Sequence, residues 1–77
     1  MDDAYLRKRI RVVLVTTRAA ARSLEPGDGQ VADAYRRGIL LLDAMSEEVA
    51  SGGGSETREQ LAQARRELES ELEDRAT

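Results

Sequence analysis

Ile39-Leu40-Leu41-Leu42 decides the reading of this chain, and it lies inside an otherwise charged segment, QVADAYRRGILLLDAMSEEVA, that runs from Gln30 to Ala50. On a helix, neighbouring residues point about 100° apart, so this run faces every direction in turn. A helix that carries it must be covered on more than one side. A matching run, Val12-Val13-Leu14-Val15, lies upstream, and the only proline, Pro26, sits between the two beside Gly27-Asp28-Gly29. Folding the chain back at Gly27 brings the runs level, so the two apolar bands meet across an antiparallel helical hairpin.

Outward from this pair, residues 2–24 read as the first helix. Asp2 or Asp3 caps it, and Leu6, Ile10, Val13, Leu14, Thr17, Ala20, Ala21 and Leu24 recur at helical spacing. The β-branched cluster from Val12 to Thr17 favours a strand by propensity, but the helical period runs through it and strand alternation is missing. Residues 25–29 form the turn, with Pro26 stopping one helix and Asp28 capping the next. The second helix spans 30–50, with Val31, Ala34, Tyr35, Gly38, Leu42, Met45 and Val49 as its stripe and Ile39, Leu40 and Leu41 widening it. Gly38 costs a helix interior about 1 kcal/mol against Ala, and either close approach of a neighbouring backbone compensates it or it is a tolerated weak spot.

Downstream, residues 51–55 read as a flexible glycine-rich hinge, and Ser55 as the cap of a third helix over 56–75. That helix has a thin stripe, Leu61, Ala64, Leu68 and Leu72, and two supporting i,i+4 pairs, Arg65–Glu69 and Glu71–Arg75. The expected fold is therefore all-α, an antiparallel three-helix bundle forming a single domain over residues 1–77. Reflecting the Leu40 region through Gly53 lands on Ala64, Arg65 and Arg66, which match no apolar band. The third helix covers one side at most.

What covers the rest is the main functional question. A chain of 77 residues buries only about 60% of the surface its unfolded form exposes, and scaffolds this small ordinarily need a staple. Cysteine and histidine are absent, as are Phe and Trp. Disulfides and thiolate or imidazole metal sites are thereby excluded, and self-association is the staple that remains. The expected partner is a second copy, in a homodimer whose centre is a larger helical bundle; a helix of another protein would use the same residues. Val12, Val15, Ile39, Leu40, Leu41 and Met45 are the expected interface. Tyr5 and Tyr35 are expected at the core's edge, hydroxyls toward water.

Charge offers a second candidate surface. Residues 1–24 carry +4, residues 25–50 carry −4 and residues 51–77 carry −3. A basic first helix can bind phosphate backbones through Arg7, Lys8, Arg9, Arg11 and Arg18. Two features weigh against nucleic acid: no aromatics interleave with these cations to stack on bases, and an antiparallel bundle offers them Asp and Glu on neighbouring helices. Asp33, Asp43, Glu47 and Glu48 read as a solvated acidic face rather than a metal site, since no Glu-x-x-His pattern accompanies them. Ser51, Ser55 and Thr57 have no partner base for nucleophilic chemistry, and the glycines lack the Lys-Ser/Thr of a phosphate loop.

No secretory signal follows the Met-Asp-Asp start and no run approaches the roughly 18 apolar residues of a membrane span. A cytoplasmic compartment is expected, and frequent Ala, Arg and Glu beside a single Lys point to a GC-rich bacterial genome. The resulting expectation is a non-enzymatic adaptor, docking or assembly domain without cofactor or metal. A small nucleic-acid-binding regulator is the alternative.

Overall fold

Asp2 starts the first helix by accepting a hydrogen bond from the Ala4 N–H at 3.2 Å, the capping geometry that satisfies one of the orphan donors of a helix end. In the computed structural model, which describes residues 2–25 and 29–76, the chain is all-α. Helix α1 spans Asp3–Arg22, α2 Gly29–Ala44, α3 Ser46–Gly52 and α4 Ser55–Ala76. Val12 to Thr17 are helical, so periodicity prevails over β propensity. The packing face explains it: Leu6, Ile10, Thr17 and Ala21 of α1 are buried, and burial of a stripe outweighs the tenths of a kcal/mol that separate helix propensities. Pro26, Gly27 and Asp28, read above as stop, fold-back point and cap, lie outside the described residues.

The second helix expected over 30–50 is realised as two pieces. At the break, the Met45 N–H bonds the Leu42 carbonyl, three residues back, at 3.1 Å, and the Ser46 hydroxyl donates to the Asp43 carbonyl at 2.7 Å. A tightened turn and a back-bonding serine are both recognised causes of helix kinks. Met45 and Val49 stay in the core across the break, each only 1% exposed.

The glycine run differs from the flexible hinge anticipated over 51–55. Ser51 and Gly52 belong to α3, leaving Gly53 and Gly54 as the corner between α3 and α4. Gly53 is extended, at φ −92° and ψ 147°, and buried; a Cβ there would stand 2.8 Å from the Val49 carbonyl oxygen, which leaves room for glycine alone. Nor does Ser55 cap α4. The first intrahelical bond runs from Arg58 N–H to the Gly54 carbonyl at 3.0 Å, and the capping acceptor comes from the other end of the chain: Asp3 Oδ1 accepts from Gly54 N–H at 2.8 Å and from the Thr57 hydroxyl at 2.6 Å.

This latch has a pH signature. Those two bonds, with help from Arg7, hold the Asp3 carboxyl below its ordinary value of 3.8. A carboxylate with a depressed folded pKa contributes stability that is present above its unfolded pKa and is lost as pH falls through the folded one. Asp3→Asn should therefore flatten the acid limb of the stability curve below pH ~4, and should lower hydrogen-exchange protection at Gly54 and Thr57 at neutral pH. An unchanged acid limb together with unchanged protection would sink the assignment.

The core gathers one stripe from each element. Leu6, Ile10 and Ala21 of α1 meet Val31, Tyr35 and Leu42 of α2, with Met45, Val49, Ala64 and Leu68; Val13, Leu14, Leu24, Ile39, Leu61 and Leu72 pack partly buried against them. Contacts fix how the elements lie. Arg9 meets Glu48 while Thr17 faces Gly38, so numbering on the second segment falls as that on α1 rises. Asp43 meets Arg65 and Tyr35 meets Glu71 in the same falling order, whereas Asp3–Thr57 and Arg18–Glu71 rise together. Helix α4 thus lies along one side of the α1–α2 pair.

Candidate functional site

Counting roughly 100° per residue from the point where Thr17 faces Gly38, the α1–α2 pair has two sides of different character. Arg7, Leu14 and Arg18 of α1 and Tyr35, Ile39 and Asp43 of α2 turn toward α4. Arg9, Val13, Thr16 and Ala20 of α1 and Ala34, Arg37 and Leu41 of α2 turn the other way, where no described element lies. On that open side a shallow groove runs between the two helices, lined by Thr16, Thr17, Ala20, Ala34, Gly38 and Leu41 among others. It is narrow because the helices approach closely at Gly38, where a Cβ would stand 2.3 Å from Thr17 Oγ1.

The six residues expected to form an interface are divided by this geometry. Val12, Val15, Leu40 and Leu41 are 50%, 57%, 65% and 54% exposed, large aliphatic side chains left in water. Ile39 is partly buried against the core and Met45 is within it. By the same angular count, Leu41 borders the groove and Val12 leans toward the open side, beside an apolar hollow formed with Tyr5, Lys8, Arg9 and Val13. Val15 and Leu40 point to opposite outer flanks. Four consecutive apolar residues on a helix could do nothing else.

Of the five cations expected to face an anion, three are engaged within the chain. Arg7 lies 3.6 Å from Asp3 and 3.7 Å from Glu56. Arg9 pairs with Glu48 at 3.0 Å and stands 5.7 Å from the centre of the Tyr5 ring. Arg18 grips Glu71 through Nε and Nη2, the closest approach being 2.8 Å, and also reaches Glu67 at 3.2 Å. Lys8 and Arg11 are exposed and pair with no described residue. Three of the four acidic side chains are also committed, Asp33 to Arg36, Asp43 to Arg65 and Glu48 to Arg9, while Glu47 is exposed. Pairs this exposed contribute only ~0–1 kcal/mol each. Among the described residues no three Asp, Glu, His or Cys are placed to hold a metal ion, and no helix is long and apolar enough to cross a membrane.

One cluster was not foreseen. Tyr35, expected with its hydroxyl in water, is 1% exposed. Its O–H donates to Glu71 Oε1 at 3.2 Å and accepts from Arg75 Nε at 3.0 Å. The Arg75 guanidinium lies 5.4 Å from the same ring's centre, so the expected Glu71–Arg75 pair acts through the tyrosine. Bonds from Arg18 hold the Glu71 carboxyl below its ordinary range, with the Tyr35 bond and the Arg75 charge adding to the effect. The cluster ties α1, α2 and α4 at one place. Sequence contained half of the signal: Tyr35 occupies a stripe position between Val31 and Leu42, and a tyrosine that deep needs a partner for its hydroxyl. The identity of that partner, 36 residues away, had no local signature.

Compared with known proteins, the chain matches no family model, no curated protein and no solved structure.

Proposed function

We propose that this chain is a non-enzymatic helical interaction module, an adaptor, docking or assembly domain, that self-associates through α1 and α2. In this reading it is an antiparallel three-helix bundle whose hairpin, α1 with α2 and its continuation α3, is backed by α4 on one side and by a second copy on the other. The observation that carries the reading is the exposure of Val12, Val15, Leu40 and Leu41, each at least half in water, on a chain with no Phe, Trp or disulfide to reinforce its core. Single exposed aliphatics are ordinary, and Val15 and Leu40 point to the outer flanks; Leu41 at the groove and Val12, with Tyr5 half-exposed beside it, are the part of the open side a partner covers.

The test is the mass in solution by light scattering over a dilution series. Wild type should hold near twice the 8.5 kDa of one chain. Leu41→Glu, which places a charge without a partner in an apolar contact, should weaken association by about 3 kcal/mol or more, over a hundredfold in dissociation constant. Its helicity should be unchanged because Leu41 lies outside the monomer core. A wild-type protein that stays a monomer at every concentration would overturn the reading.

A further inference from the structure

On the open side of the hairpin, one row of residues has a symmetry that the rest of the surface lacks. Arg37, Leu41 and Ala44 follow one another at spacings of four and three residues on α2, so they form a nearly straight row, and Glu48 on α3, held on the same side by Arg9, continues it past the break at Met45. The row reads the same in reverse by type of complement: cation, large aliphatic, small aliphatic, anion. An identical helix laid against it antiparallel, with the twofold axis passing between Leu42 and Asp43, sets Arg37 over Glu48 and Leu41 over Ala44, each pairing occurring twice. We propose that a second copy closes the open face through this row, the α2–α3 segment of one copy antiparallel to that of the other, with α2 meeting α2 at Leu41 and Ala44 and Arg37 of each α2 meeting Glu48 on the other's α3. The proposal rests on the self-association reading above and states which face and which register it uses.

Several observations support this occupant. Arg37 is exposed and pairs with no described residue, although it stands at the edge of the groove. Glu48 keeps its place on this side of the molecule across the kink at Met45, as its bond to Arg9 at 3.0 Å requires. It remains half-exposed, with carboxylate lone pairs to spare for a second guanidinium. Ala44 is exposed and small, a socket where Leu41 is a knob. The groove beside the row is walled by Thr16, Ala20 and Ala34, short side chains that let another helix sit close. Opposite charges at matched positions about the axis, with apolar contacts between them, are what an isologous contact demands, because every residue must find its complement on the same surface. The arrangement leaves Val15 and Leu40 outside the seam.

The absence of cysteine makes the test clean. Leu41→Cys and Ala44→Cys chains, mixed in equal amounts in a glutathione redox buffer, should form a disulfide-linked mixed dimer beyond its statistical share, identified by intact mass. Leu40→Cys and Val15→Cys should remain unlinked. All four positions are exposed, so the fold is retained in each, and circular dichroism verifies it. Arg37→Glu, which sets like charges against Glu48, should raise the dissociation constant at least ~10-fold at low salt, and the difference from wild type should shrink as salt rises. A wild-type dimer that links through positions 15 or 40 and not through 41 and 44 overturns this seam while self-association stands. A wild-type monomer overturns both.

Discussion

Tyr35→Ala should bring this protein to the edge of unfolding. Truncating a fully buried aromatic costs about 3–5 kcal/mol, and the whole stability of a chain this size is on the order of 4–11 kcal/mol at ~0.05–0.15 kcal/mol per residue. The side chain fills the centre of the interface among α1, α2 and α4, and its removal also takes one hydrogen-bond partner from each of two charged groups. Arg75 Nε loses the acceptor it holds at 3.0 Å and Glu71 loses a donor at 3.2 Å. Tyr35→Phe isolates the second effect. It keeps the ring and the Arg75 guanidinium above it, and removes both hydrogen bonds of the hydroxyl, so it should cost about 1.5–3 kcal/mol, the range for hydrogen bonds to charged groups. Urea titrations followed by circular dichroism measure both. If Phe proves as damaging as Ala, the polar cluster rather than the packed ring is the main support; if Ala costs less than the Phe variant is expected to, Tyr35 does not occupy the core.

Gly38→Ala should destabilise, against the usual direction for a glycine within a helix. In an open helical position the change gains roughly 0.5–1 kcal/mol from backbone entropy. Here the new methyl would lie 2.3 Å from Thr17 Oγ1, 2.8 Å from Thr17 Cγ2 and 3.1 Å from Thr17 Cβ. Rotating the threonine exchanges one branch for the other, and a β-branched residue in a helix has few alternatives. Helices α1 and α2 must therefore move apart, an overpacking cost of about 1–3 kcal/mol. Thr17→Ala removes both branches, so the double variant Thr17→Ala/Gly38→Ala should recover most of the loss, a coupling of about 1–3 kcal/mol that a double-mutant cycle reads directly. A stabilising Gly38→Ala would mean that the helices are not held at this distance.

Periodicity by itself determined the helical class and most of the core. The stripe from Leu6 to Ala21, the stripe from Val31 to Val49 and the thin row of Ala64 and Leu68 could be written down before any coordinate, because a helix repeats its facing every three to four residues whatever it packs against. Even the misleading β-branched cluster yielded to that rule. The surplus of Ile39, Leu40 and Leu41 was equally legible, as apolar surface that no single neighbour could cover.

Tertiary structure decided which of these residues remains in water, since that depends on the side along which α4 lies. Ile39 turns toward α4 and Leu41 away, about 160° apart around one helix, and no local pattern says which of the two faces α4 covers. Long-range pairings have the same character. Asp3 reaches Thr57 across 54 positions and Arg18 reaches Glu71 across 53, so a run that reads as a loose glycine linker becomes a corner with Gly53 buried and Gly54 bonded to Asp3, and a tyrosine that reads as amphipathic becomes the centre of a polar cluster. Sequence spacing encodes the direction of a side chain relative to its own helix axis; its partner is set by how the helices are placed against one another.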